Sequence, residues 1–228
     1  MDKLELEGSK AELTADIVTI ALNGIPWVGG IVSSTASFFL QRVKNERLNK
    51  FLIRLSEDVS SLQMEVNQEY IHRDDFRDMV EDVFTKASET RQQEKLDALR
   101  SIFLSAITSE NPQYEEIEEI TNLVKSWQSS HIILLRILNN PELANNAAGN
   151  PVQEHRGIPT SLLASLKLLL PDWTEEKIDR SWQKLYTDGI HLTPSIKSMI
   201  GDTGIHQLEN RLTPFGKKVV QYLIHTMS

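Results

Sequence analysis

At 228 residues, with 40% apolar and 25% charged side chains, the chain can bury a substantial core and does not have the composition of a disordered one. It has no cysteine, which excludes a disulfide scaffold, thiolate metal sites and a cysteine nucleophile, and which fits a reducing compartment. The formal net charge of −8 is unevenly spread: residues 1–126 hold 14 Lys+Arg against 23 Asp+Glu (−9), and residues 127–228 hold 10 against 9 (+1). The first half should repel nucleic acid at a distance while the second is close to neutral, a first sign of two modules.

The chain opens on MDKLELEGSKAE, which is acidic. A secretory signal needs a basic start before its apolar run, so the expected location is cytoplasmic, with membrane association on activation. Residues 11–22 read as a short helix that Asn23, Gly24, Ile25 and Pro26 should stop. Residues 17–40, IVTIALNGIPWVGGIVSSTASFFL, hold no charge over 24 positions, 14 of them apolar. We read this stretch as two helical pieces around a GIPWVGG hinge. It is long enough for roughly 30 Å of hydrocarbon at about 1.5 Å per residue, but Asn23, Pro26 and a run of hydroxyl side chains weaken a fixed span. A buried hairpin capping a helical bundle and a membrane-active segment are the two other readings. Gly29, Gly30, Ser33, Ser34 and Ser37 suit close helix–helix approach.

The same helix is predicted to run on to about Tyr70, because Leu48, Leu52, Leu55, Val59, Leu62 and Val66 follow the 4-3 spacing of a heptad seam. Arg42, Lys44, Arg47, Lys50 and Arg54 make a basic band directly after the apolar stretch. Such a band meets anionic headgroups, or it is a solvated face paired with acids downstream. His72 to Asp75 open a second helix, with Phe76, Met79, Val80, Val83, Phe84 and Ala87 on its core face. A third, over about 90–108, turns Leu96, Leu99, Ile102, Phe103, Ala106 and Ile107 inward. A fourth, rich in glutamate, buries Tyr114, Ile117, Ile120, Val124 and Trp127. Short connections between amphipathic helices are the pattern of a helical bundle.

Beyond an apolar helix over 132–138, residues 141–157 have the composition of a long loop. Residues 160–170 form a short helix, and Thr174 caps another that Asp188 and Gly189 stop. Residues 191–212 are predicted to form a two-stranded wing, and Pro214 sits at the first position of a closing helix, where its missing N–H costs nothing. The phrases WQKLYTDGI (182–190) and RLTPFGKKVVQYL (211–223) resemble winged-helix punctuation. Lys177, Arg180 and Lys184 share one face of the helix that would read DNA, though the module carries only +1.

No catalytic chemistry is legible. Gly24 and Gly29 have phosphate-loop spacing, but Gly30 and Ile31 stand where Lys and Ser/Thr are required. The six histidines (72, 131, 155, 191, 206 and 225) show no i, i+4 pairing, so no metal, cofactor or small-molecule substrate is expected. No nucleophile elbow occurs.

Taken together, the Gly/Pro-bearing apolar N-terminus, the basic heptad helix, EKLDALRSIFLSAITSENP (94–112) and SSHIILLRIL (129–138) resemble a group of bacterial helical proteins. Some of these are assigned to abortive-infection families, and many end in a winged-helix-like module. The first third is also similar to HeLo/Bell-type four-helix-bundle domains, whose glycine-containing first helix attacks membranes; the break at Pro26 departs from that pattern. The expectation is a mainly α protein. An N-terminal antiparallel helical bundle (1–126) carries a hydrophobic hairpin (17–40), and a C-terminal winged-helix-like module (127–228) has a small β-hairpin and a long loop over 141–157. The missing catalytic motifs and the apolar hairpin lead to the expectation of a non-enzymatic interaction protein, and the resemblance implies a phage-defence role. Its contact residues toward a protein partner, a second copy of the chain or a membrane surface would be Trp27, Val28, Ile31, Phe38, Phe39, Arg42, Lys44 and Arg47. The alternative is a winged-helix transcriptional regulator contacting DNA through Lys177, Arg180 and Lys184.

Overall fold

A computed structural model describes residues 35–62, 66–153, 160–197, 199–200 and 204–223. Over these residues the protein is mainly α and divides into two compact units, the described residues of 1–126 with 222–223, and those of 127–221. The predicted helix over 11–22 and the GIPWVGG hinge lie outside the described residues.

In the first unit, α1 (Thr35–Ser61), α2 (Gln68–Ile71), α3 (Asp74–Glu89), α4 (Gln93–Thr108) and α5 (Tyr114–Ser126) follow one another through short connections. Helices α1, α3, α4 and α5 pack on one another. Their apolar stripes meet in a chain of rings that runs Phe51, Phe84, Phe103, Phe76 and Tyr70, with successive centroids 5.8, 5.9, 6.0 and 5.6 Å apart. Each edge or stacked contact of this kind adds about 0.5–1.5 kcal/mol beyond the area that it buries. The seam residues Leu48, Leu52, Leu55 and Val59 are buried as their spacing predicts.

Helix α1 stops earlier than the seam suggests. Leu62 and Val66 are half-buried and lie past its end. Ser60 Oγ and Ser61 Oγ donate to the carbonyls of Ser56 and Asp58, at 2.8 and 2.9 Å, in the last turn. Such short hydroxyl side chains compete with helical propagation. Asn67 then fixes a new start: its Oδ1 accepts from the Tyr70 N–H at 3.0 Å, and its own N–H donates to the Ile107 carbonyl at 2.7 Å.

In the second unit, α6 (Ser129–Asn139) leads into α7 (Pro141–Ala147), β1 (Thr160–Ser161), α8 (Leu162–Leu169) and α9 (Glu175–Thr187). A two-residue β2 (Met199–Ile200), a 3-10 helix (Gly204–Leu208) and α10 (Pro214–Leu223) follow. The start of the stretch read as a loop is therefore helical. Asn140 Oδ1 caps α7 by accepting from the Leu143 N–H at 2.9 Å, and Pro141 occupies the first turn, where no N–H is missed. β1 pairs antiparallel with β2, Thr160 opposite Ile200 and Ser161 opposite Met199. Within 191–212 the described residues carry one isolated bridge, His191 opposite Leu212.

The core of this unit is tied by polar bonds, two of them from its largest side chains. Trp127 Nε1 donates to Asp188 at 2.7 Å, Trp182 Nε1 to the Thr193 carbonyl at 2.7 Å, and Ser181 Oγ to Ser130 Oγ at 2.9 Å. Thr174 Oγ1 accepts from the Lys177 N–H and caps α9, and Gly189 at φ +74° ends the turn after it. Thr213 Oγ1 accepts from the Gly216 N–H at 2.8 Å and so caps α10 at the start.

Candidate anion-binding cleft

A cleft of about 220 Å³ opens in the first unit between α1 and the start of α4. Phe51 and Leu96 supply its apolar lining, and Thr90 and Gln93 add polar groups. Around them stand five cations: Arg47, Lys50 and Arg54 on α1, Arg91 in the α3–α4 connection, and Arg100 on α4. The spacing on α1 explains the arrangement. Arg47 lies three and four residues before Lys50 and Phe51, and Arg54 lies four and three residues after them, so the four share one side of a helix.

Two of these cations are already engaged. Lys50 pairs with Glu46 at 3.1 Å, one turn away. Arg100, only 9% exposed, holds Asp58 at 2.6 Å and Asp97 at 2.9 Å. Asp97 also accepts from Gln93 at 2.7 Å, which joins the first turn of α4 to the same network. Arg47, Arg54 and Arg91 make no ion pair among the described residues. Arg54 and Arg91 are exposed and Arg47 is half-buried. Three unpaired guanidiniums around an apolar floor stand out in a unit whose sequence carries −9.

A second cavity of about 180 Å³ shares Thr90 and is lined by Lys86, Lys95 and Lys125. Two of its lysines, Lys86 and Lys95, are committed to the protein. Buried Lys86 bonds to Asp82 and to Asn122, and Lys95 Nζ donates to the Lys125 carbonyl at 2.8 Å. Burial also holds the Lys95 amine below the usual lysine range.

Of the residues singled out in the sequence for contact, Trp27, Val28 and Ile31 lie outside the described residues. Phe38, Phe39 and Arg42 belong to the first turns of α1. Lys44 forms an ion pair with Glu89 at 3.0 Å, and Arg47 lines the cleft. Arg91 and Arg100 were not anticipated. They come from segments about 40 residues downstream of the basic band, and no local pattern links them to it.

The three cations of α9 lie on one side of the helix, and each has an internal partner. Lys177 Nζ sits 4.1 Å from the centre of the Trp173 ring, Arg180 pairs with Glu176, and Lys184 pairs with Asp188 at 2.6 Å. Glu142, His206 and Glu209 bring one potential metal-ligand atom each to within 4.8 Å of one another, at the surface of the second unit. His206 and Glu209 have the i, i+3 spacing of neighbours on a helix face, but Glu142 is remote in sequence, so histidine spacing alone did not point to the group. His206 Nδ1 already bonds to Glu209 at 2.6 Å. Among the described residues no helix is long and apolar enough to cross a membrane. Compared with known protein families, curated proteins and solved structures, the chain matches none.

Proposed function

We propose that the protein is a non-enzymatic interaction protein that acts at an anionic membrane surface, with residues 17–40 supplying apolar contact and the α1 cleft binding headgroups. The observation that carries this reading is the trio Arg47, Arg54 and Arg91, unpaired among the described residues, around an apolar-lined cleft on the helix that continues from the apolar stretch. Basic side chains beside an anionic leaflet contribute about 1 kcal/mol each, enough to concentrate the chain there before apolar contact begins. The resemblance to abortive-infection proteins and to membrane-attacking helical bundles supports a phage-defence setting.

The test is binding to anionic liposomes, with dye leakage, for the wild type and Trp27→Glu/Phe38→Glu, each checked by circular dichroism. Leakage by the wild type and none by a folded variant supports the proposal. A wild type that ignores liposomes overturns it.

A second reading, a winged-helix module, is favoured by strand order: β1 precedes α8 and pairs with β2, which follows α9, and the His191–Leu212 bridge precedes α10. We read such a module as a protein-contact surface before a DNA reader, because Lys177, Arg180 and Lys184 are engaged internally. A salt-dependent DNA shift, lost when all three are changed to Glu, would reverse that order.

A further inference from the structure

The cleft on α1 is furnished for one compact anion more than a flat basic surface would be. Its five cations face three carboxylates: Glu46 takes Lys50, while Asp58 and Asp97 take Arg100. That leaves Arg47, Arg54 and Arg91 around the cavity with no ion pair among the described residues. A guanidinium is a planar fork of donors that matches the paired oxygens of a carboxylate or a phosphate.

Two features select phosphate. A lone carboxylate brings one negative charge and two oxygens, too few for three guanidiniums, whereas a phosphomonoester carries about 1.5 to 2 charges on three acceptor oxygens at neutral pH. Independently, α4 is 16 residues long and begins at Gln93, which lines the cleft beside Thr90. The positive end of that helix dipole therefore opens on the cavity, and helix N-termini are suited to phosphate. Phe51 and Leu96 offer apolar surface to whatever bears the phosphate.

We infer that the cleft binds a terminal phosphate group, a phosphomonoester, through Arg47, Arg54 and Arg91. The inference rests on the reading of this cleft as the anion-facing side of the protein. Two sources share the chemistry: a lipid with a phosphomonoester headgroup and a soluble phosphomonoester. The side chains of Asp58 and Asp97 hold Arg100 in place on the cleft wall and so keep it from collapsing onto the ligand position.

The experiment uses the full chain and two kinds of phosphatidylcholine vesicle. One contains phosphatidic acid and the other phosphatidylserine, adjusted to equal surface potential. Glycerol 3-phosphate serves as the soluble probe in calorimetry. The expected result is about tenfold tighter binding to phosphatidic acid vesicles, the size of one added charge-assisted contact. Arg47→Gln/Arg54→Gln/Arg91→Gln should lose that preference with an unchanged dichroism spectrum, while Arg180→Gln on α9 keeps it. If the triple variant does not fold, Arg54→Gln and Arg91→Gln, both at exposed positions, are compared singly.

Saturable glycerol 3-phosphate binding without vesicle binding would keep the phosphate site, assign it to a soluble ligand and overturn the membrane reading. Equal binding to both kinds of vesicle would keep the membrane reading and overturn the phosphate site. A preference for phosphatidic acid that survives the arginine changes would also overturn it, as would failure to bind any of the probes.

Discussion

The His191 ring lies 4.1 Å from the ring of Trp182, centre to centre, and its Nε2 bonds to the carbonyl of that same tryptophan at 3.0 Å. Its Nδ1 accepts from the Thr193 N–H at 3.3 Å, so the neutral ring has a partner at each nitrogen. Tyr186 flanks it 5.8 Å away, and His191 is 2% exposed. A neutral histidine fits this place and a charged one does not.

This placement predicts acid sensitivity of the second unit. Burial pushes the His191 ring down to about 4, the Trp182 carbonyl pulls the other way, and Arg211 adds to the lowering. The unfolded chain takes up the proton first, near 6.5. Stability is therefore full above that pH, falls as the pH drops toward 4, and has no more to lose from this group below it. The whole loss amounts to about 3 kcal/mol. Urea midpoints followed by tryptophan fluorescence suit the measurement, since Trp127, Trp173 and Trp182 all belong to this unit. The difference in stability between wild type and His191→Gln should shrink as the pH is lowered from 7.5 to 4.5. A constant difference would show that His191 does not titrate as argued.

Tyr70 gives a prediction of opposite sign. Its hydroxyl is buried with no hydrogen-bond partner among the described residues, and burial, assisted by Asp75, pushes it up to about 12. The ring itself packs on Phe76 and lies under Arg73. Tyr70→Phe keeps the ring and removes the unsatisfied oxygen, so it should be neutral or stabilise the first unit by about 1 kcal/mol. A loss of more than that in a thermal melt would mean that the hydroxyl has a partner.

Gly216 is needed for contact and not for conformational freedom. A Cβ at this position would stand 2.1 Å from the carbonyl oxygen of Ile190, which is backbone and cannot swing aside. The same carbonyl accepts from the Thr213 N–H at 3.0 Å, so the first turn of α10 is held against this point of the chain. Alanine in a helix is favoured over glycine by about 1 kcal/mol, but the clash should reverse the sign. Gly216→Ala is expected to cost about 1–3 kcal/mol, the range for overpacking. A variant that melts at or above the wild-type temperature would show that α10 can back away freely.

Much of the helical layout could be read in the sequence because local chemistry repeats it. The core faces of α3 and α5 follow a 3.6-residue period, Thr174 caps α9, Gly189 stops it, and Pro214 opens α10. What could not be read depends on competition or distance. The apolar spacing past Ser61 favours more helix, but Ser60 and Ser61 compete with it and Asn67 caps a new helix, through side-chain bonds that periodicity does not register. Asn140 and Pro141 signal a stop and a start with the same two residues, and only the stop was anticipated. The cleft needs Arg91 and Arg100 beside Arg47 and Arg54, which is a tertiary fact. The basic band alone was compatible with a solvated face.

Arg100 connects stability to the cleft, and the two can be separated. Its side chain is 11% exposed and the side chains of its partners Asp58 and Asp97 are 28% and 24% exposed. Arg100→Met preserves the length of the stem and leaves two half-buried carboxylates without their cation. A fully buried pair broken on one side costs about 3–5 kcal/mol, and partial exposure of both acids reduces this to about 2 kcal/mol. Asp58→Asn should cost less, because Asp97 still holds the guanidinium. The same two variants address the cleft from its wall. If Arg100 only positions that wall, Asp58→Asn leaves vesicle binding near wild type while lowering the urea midpoint. If Arg100 itself contacts the anion, Asp58→Asn frees it from one carboxylate and strengthens binding at low salt. Urea titration and vesicle co-sedimentation on the two variants therefore tell a structural arginine from a ligand-binding one, and the Asp97 bond, intact in Asp58→Asn, favours the structural role.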